Sequence, residues 1–132
     1  MDKSQQAGCE QVYRIHILIV DDDPLLGDLL LEALQQETYE AQHVLSGEMA
    51  LTTLQTIIPT LVLLDYHLPG MNGLELVGWL RSQEKWAHIP VLLMSADVPR
   101  EARGKEHLRT LGKPFELETL LQSVAELLVS GA

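Results

Sequence analysis

Four short clusters carry the residues able to do chemistry, and each stands at the end of an apolar run. Asp21, Asp22 and Asp23 follow residues 15–20, Asp65 follows 61–64, Ser95 follows 91–94, and Lys113 follows Thr110, Leu111 and Gly112. An apolar run that stops at a polar residue before a turn marks a buried strand whose tip reaches an edge. Carboxylates brought together at such an edge repel by roughly 3 kcal/mol per pair at about 5 Å and an effective dielectric near 20. Asp21, Asp22 and Asp65 need balancing positive charge, and Lys113 with one divalent cation supplies it. Oxygen-only ligation suits a hard ion such as Mg²⁺, which takes one or two carboxylates directly and keeps several waters. Beside that ion Asp65 can act as a nucleophile toward a phosphoryl donor, giving an aspartyl phosphate. Lys113 can then pair with a phosphoryl oxygen and the Ser95 hydroxyl can hydrogen-bond another, with Ala96 leaving room for the group.

The elements that would position these groups alternate strand and helix. Residues 15–20 read as a strand buried on both faces, interrupted early by His16. Asp23 and Pro24 open a helix over 24–37 as N-cap and first residue, with Leu25, Leu26, Leu29, Leu30, Ala33 and Leu34 as its core-facing stripe. A short strand over 39–44 follows, then a helix capped by Ser46 and ended near Ile57 by Pro59. Beyond Asp65, the turn Leu68-Pro69-Gly70-Met71-Asn72-Gly73 leads into a third helix with Leu74, Val77 and Leu80 or Trp79 inward, fading over 84–88. Residues 91–95 are a fourth strand, 98–108 are weakly patterned with a short helix starting at Pro99, and 110–112 form a brief fifth strand. A last helix over 116–129 has an apolar stripe of Leu117, Leu120, Leu121, Val124, Leu127 and Leu128. Five alternations predict a parallel α/β sheet with helices on both faces, and right-handed crossovers put every strand's C-terminal end on one edge. Ligands of such sheets bind at that edge, where the strand order reverses.

Composition bounds the rest. A chain of 132 residues suits one domain, here over 15–130, after a flexible tail at 1–14. The formal net charge of −10, with no helix gathering basic residues, disfavours direct nucleic-acid binding. The single cysteine, Cys9, cannot form an internal disulfide, and it lies in a polar leader without a signal-like apolar run. No apolar run is long enough to span a bilayer, so no membrane partner is expected and a cytoplasmic location is the economical reading. His16, His43, His88 and His107 lack metal-ligand spacing and read as surface or packing residues, with Trp79 and Trp86 as core and rim.

Val20-Asp21-Asp22, Leu63-Leu64-Asp65 with its Leu68–Gly73 turn, Ser95-Ala96 and Lys113-Pro114-Phe115, in that order and each at a strand end, resemble the receiver domain of two-component response regulators, of the chemotaxis-regulator kind. The resemblance covers about residues 15–129. It implies a flavodoxin-like, doubly wound, five-stranded parallel sheet of order 2-1-3-4-5. Asp65 would be the phosphoacceptor, receiving its phosphoryl group from a sensor histidine kinase or histidine phosphotransfer protein. Asp22 and Asp65 would ligate Mg²⁺ directly with the backbone carbonyl of His67, and Asp21 would act through water. Ser95 would be the switch hydroxyl, Lys113 its counter-charge, and the bond before Pro114 cis.

Two departures from the family pattern stand out. Thr110 occupies the switch position where the family commonly has an aromatic residue. Lys113 lies 18 positions after Ser95, about one helical turn fewer than the family pattern, so the fourth helix should be shortened. That face is where many receivers dimerise or bind targets, so a downstream target protein and a homodimer are the implied output partners. His67 and Asp97, each two positions beyond a site residue, are candidates for tuning access of hydrolytic water.

Each cluster alone has a plain structural reading. Three aspartates before a helix cap it and sit in solvent, and Lys113-Pro114-Phe115 is an ordinary turn. The competing functions are a pseudo-receiver, regulated by partner contact without phosphorylation, and a phosphatase of the haloacid dehalogenase type. The latter usually places its nucleophile after the first strand with a second Asp two residues on, whereas Asp65 is followed by His67. With Ser130, Gly131 and Ala132 ending where a linker would begin, the chain reads equally as a stand-alone receiver or as part of a longer regulator.

Overall fold

The structure is a computed structural model that describes residues 15–130. The tail at 1–14, Cys9 and the last two residues lie outside the described residues. The elements are β1 His16–Val20, α1 Pro24–Gln36, β2 Glu40–Val44, α2 Gly47–Leu54, β3 Leu61–Asp65, α3 Gly73–Arg81, β4 Val91–Ser95, β5 Leu108–Gly112 and α4 Leu117–Ser130. All neighbouring strands pair parallel, and the sheet order is β2-β1-β3-β4-β5, the flavodoxin-like 2-1-3-4-5 order. Order reverses between β1 and β3, where two crossovers leave in opposite directions and open a crevice at the strands' C-terminal ends.

The three central strands carry apolar side chains on both faces because helices cover both. Leu18, Val20, Val62, Leu64, Val91 and Leu93 pack with Ala50 and Leu54 of α2 and Leu76, Val77 and Leu80 of α3. Ile17, Ile19, Leu61, Leu63, Leu92 and Met94 pack with Leu30 and Leu34 of α1 and Leu120, Val124 and Leu127 of α4. Burial of β1 and β3 is near complete up to their last residues, so their tips are fixed by core packing.

Local chemistry starts the helices where the sequence places them. The Asp23 carboxylate accepts the N–H groups of Leu25 (3.0 Å) and Leu26 (3.3 Å), and Ser46 accepts that of Met49 (3.1 Å). Asn72 and Glu75 form a reciprocal capping box at 2.9 and 2.8 Å. The turn before it contains Gly70 at φ +81°, a left-handed conformation that glycine adopts without steric cost.

Several expected boundaries shift. On α1, Leu25 and Leu29 are 81% and 51% exposed, so the buried stripe is Gly27, Leu30, Ala33 and Leu34, one sheet-facing row rather than a double row. Helix α2 stops at Leu54 rather than Ile57, and β5 begins two residues before Thr110. That start was hidden because β5 is an edge strand; Arg109, half-buried, pairs with Glu126 of α4 at 2.7 Å. Two short 3₁₀ turns complete the chain, Glu84–Trp86 and Arg100–Ala102. The second is all that stands where a fourth helix would run, as the short spacing predicts. Arg81 ties the end of α3 to the segment entering β5 by donating to the His107 carbonyl at 2.9 Å and the Trp86 carbonyl at 3.4 Å. Trp79 stacks on Trp86 with centroids 5.0 Å apart, but the expected roles are reversed: Trp86 is buried in the core and Trp79 is the half-buried rim. Among the described residues, no helix is long and apolar enough to cross a membrane.

Candidate functional site

The C-terminal edge gathers the carboxylates. Asp65 is the last residue of β3 and is 5% exposed, because the Tyr66 N–H continues the ladder to the Met94 carbonyl at 2.9 Å and draws the strand's end inward. Asp21 follows β1 and is fully buried; its N–H bonds the Val44 carbonyl at 3.1 Å, and its Oδ1 accepts the Asp23 N–H at 2.9 Å. Asp22 lies between them in sequence with an exposed carboxylate. One carboxylate oxygen from each of Asp21, Asp22 and Asp65 lies within 4.8 Å of the others.

Lys113 enters from the loop after β5. Its own N–H donates to the Ser95 carbonyl at 2.8 Å, and the following bond to Pro114 is cis, as the resemblance implies. The ammonium then reaches the Asp65 Oδ1 at 3.1 Å and stands 3.7 Å from the Asp21 Oδ2. One cation thus faces three anions.

The imbalance is visible at Asp21. Burial pushes its carboxyl above the ordinary carboxylate range; the Asp23 N–H and Lys113 oppose the rise, and the Asp65 and Asp22 charges add to it. Its Oδ2 is buried and accepts no hydrogen bond from the protein. An orphaned buried oxygen beside two further carboxylate oxygens is a donor set that a hard divalent cation fits.

Ser95, also buried, is directed at its own loop. Its hydroxyl donates to the Asp97 carbonyl at 2.8 Å and accepts the Asp97 N–H at 3.1 Å. The main chain of Asp97 therefore engages Ser95, while the Asp97 side chain is exposed. His67 is exposed on the loop after β3, with its ring edge-on to Tyr66 at 4.7 Å. Thr110 is half-buried on β5, opposite Leu93 of β4. The structure thus brings Asp21, Asp22, Asp65 and Lys113 together, sets Ser95 at the adjacent strand tip, and leaves the His67 and Asp97 side chains exposed on the loops after β3 and β4.

Two supports were not evident from the motifs. At Gly73 an added Cβ would lie 2.9 Å from both the Asp65 carbonyl oxygen and the Tyr66 Cα, and 2.8 Å from a Leu93 methyl. Only glycine lets α3 begin this close to the tip of β3, and the Gly73 N–H bonds the Tyr66 carbonyl at 2.7 Å. The second support is His43, whose Nε2 lies 2.8 Å from the Asp21 carbonyl oxygen. A glycine inside the pattern of α1, Gly27, was its one sequence signal.

Comparisons with known proteins agree with this geometry. The model of the response regulator receiver domain matches residues 17–125. The chain is 39% identical over 83 residues to the DNA-binding response regulator MtrA of Mycolicibacterium smegmatis, covering 63% of this chain and 35% of that protein. It is 34% identical over 116 residues to the DNA-binding dual master transcriptional regulator RpaA of Synechocystis, covering 85% of this chain and 48% of that one. The chain thus spans about a third to a half of the length of these curated relatives. Among solved structures, the Vibrio cholerae chemotaxis protein CheY4 superposes with a TM-score of 0.78 at 27% identity, covering 86% of this chain and 98% of that chain.

Proposed function

The chain belongs to the response regulator receiver domain family, and from that premise we propose that residues 15–130 are a phosphoacceptor receiver in which Asp65 accepts a phosphoryl group from a histidine kinase or histidine phosphotransfer protein. The single observation that carries this reading is the ammonium of Lys113, 3.1 Å from Asp65 and 3.7 Å from Asp21, facing a three-carboxylate cluster built from two strand tips.

In the proposed reaction an Asp65 carboxylate oxygen forms a bond to phosphorus as the bond from phosphorus to the donor imidazole nitrogen breaks, and the imidazole recovers a proton. Asp22 and Asp65, with the His67 backbone carbonyl, would hold Mg²⁺, and Asp21 would act through water. Bound there, the ion supplies charge neutralisation to the incoming phosphoryl group. Lys113 loses its partner when Asp65 is esterified and turns to a phosphoryl oxygen. The Ser95 hydroxyl must give up the bond it donates to the Asp97 carbonyl before it can donate to a phosphoryl oxygen. Water attack on phosphorus, breaking its bond to Asp65, returns the carboxylate; His67 and Asp97, exposed on the loops after β3 and β4, tune that step. The chain catalyses only these two reactions on itself and is a signalling module, read in the cytoplasm through contacts with a target protein or a second copy. A net charge of −10 disfavours direct contact with nucleic-acid phosphates.

Thr110 at the switch position and the three-residue turn Arg100–Ala102 favour the pseudo-receiver as second reading, because both lie on the usual outward path. Titration with beryllofluoride and Mg²⁺ separates the two. Saturable amide shifts at Asp65, Ser95 and Lys113 are expected; their absence at millimolar ligand would move the assignment to the pseudo-receiver. Rapid turnover of phosphate esters would instead indicate the phosphatase.

A further inference from the structure

We propose that His43 is a positioning residue for the acidic site, holding the Asp21–Asp22 turn in the arrangement that receives the cation; this rests on the receiver reading of the site. His43 is the fourth residue of β2, half-buried on the sheet face that α1 covers. A carbonyl oxygen only accepts, so the 2.8 Å contact to Asp21 requires the proton on Nε2, with Nε2–H as donor. Both peptides flanking the Asp21 Cα are then held, the N–H of Asp21 by the Val44 carbonyl and its C=O by the His43 imidazole, from two consecutive residues of one strand.

The imidazole reaches that carbonyl only because of Gly27. A Cβ on Gly27 would lie 1.9 Å from the His43 Cε1, 2.2 Å from Nε2 and 2.3 Å from Nδ1, so the ring lies flat on the first turns of α1 where any side chain would stand. The same turn is anchored to the site from the other direction. Asp21 Oδ1 accepts the Asp23 N–H, Asp23 caps α1 through Leu25 and Leu26, and the Gly27 N–H bonds the Asp23 carbonyl at 2.9 Å. Strand β2, the Asp21 peptide and the start of α1 are therefore one hydrogen-bonded unit with His43 at its centre. Asp22, the exposed member of the cluster, is the residue whose direction this unit sets, since it is flanked by two fixed peptides.

Outer contacts that orient carboxylate ligands typically change metal affinity by about 10- to 100-fold when removed. The test is Mg²⁺ affinity of the intact protein, by calorimetry and by amide shifts of residues 21–23, in His43→Phe, which keeps a ring without a donor, and His43→Gln, which returns an amide N–H to nearly the same place. His43→Leu serves as the donor-free variant if the phenylalanine protein does not fold. Loss of about tenfold or more in the donor-free variant, with His43→Gln within about threefold of the parent, is expected. Parent-like affinity in the donor-free variant overturns the proposal, as does an equal loss in both variants, which would mean that the ring only packs. A parent protein that binds no Mg²⁺ overturns the receiver reading itself, a separate result.

Discussion

Asp21 and Asp65 differ in what surrounds their oxygens, and the difference is measurable. Asp65 has the ammonium of Lys113 at 3.1 Å, whereas the Asp21 Oδ2 is buried without a hydrogen bond. Because burial raises the Asp21 carboxyl above its ordinary value of 3.8, the folded state holds that proton more tightly than the unfolded chain does. Its contribution to stability is therefore present below the unfolded value and lost as pH rises through the folded one. In metal-free protein Asp21→Asn removes that loss, so the variant should be the more stable at about pH 7 in EDTA, with the gap closing toward about pH 4. Urea midpoints at both values check this; a variant less stable at neutral pH would contradict it. The carboxylates, Ser95 and Lys113 were legible in the sequence because each ends an apolar run. The direction of the Ser95 hydroxyl, set by the Asp97 backbone, was not, because a turn two residues long leaves no period to read.

At the scale of elements, two glycines govern how closely helices approach the site. Gly73→Ala places a methyl against backbone on one side and Leu93 on the other, and overpacking of this kind typically costs about 1–3 kcal/mol. Denaturant titration should show that loss even without Mg²⁺. Gly27→Ala is predicted to change sign with its neighbour. It destabilises while His43 covers the glycine, but in a His43→Ala background it should stabilise α1 by up to about 1 kcal/mol, the helical preference of alanine over glycine. Destabilisation in both backgrounds would mean that something other than the ring fills the space. The sequence shows five strands and four long helices because apolar runs and caps such as Asp23, Ser46 and Asn72 are local signals. It misassigns Leu25 and Leu29, since a leucine-rich helix carries more apolar residues than its single buried face can use. It also starts β5 late, since an edge strand bearing Arg109 shows no continuous apolar run.

For the whole molecule, the doubly wound sheet converts separate strand tips into one site, and the site's charge feeds back on the fold. Three carboxylates and one lysine at a single edge leave an excess of negative charge that a divalent cation relieves only in the folded state. Stability should therefore rise with Mg²⁺, by about 1.4 kcal/mol for each tenfold increase above the dissociation constant, and Asp22→Asn should flatten that dependence. Thermal or urea unfolding across a Mg²⁺ series, with ionic strength held constant, reads it directly. The short connection between β4 and β5 leaves only the Arg100–Ala102 turn where a helix would stand, so any output surface differs from that of a receiver with a full fourth helix.

The most direct test of the central claim is covalent. Intact-mass and peptide analysis after incubation with Mg²⁺ and a small phosphodonor such as acetyl phosphate should show one phosphoryl group on the peptide containing Asp65, lost on adding EDTA beforehand and absent from Asp65→Asn. A folded, Mg²⁺-binding protein that acquires no phosphoryl group, or one that acquires it equally in Asp65→Asn, would contradict the assignment of Asp65 as the phosphoacceptor.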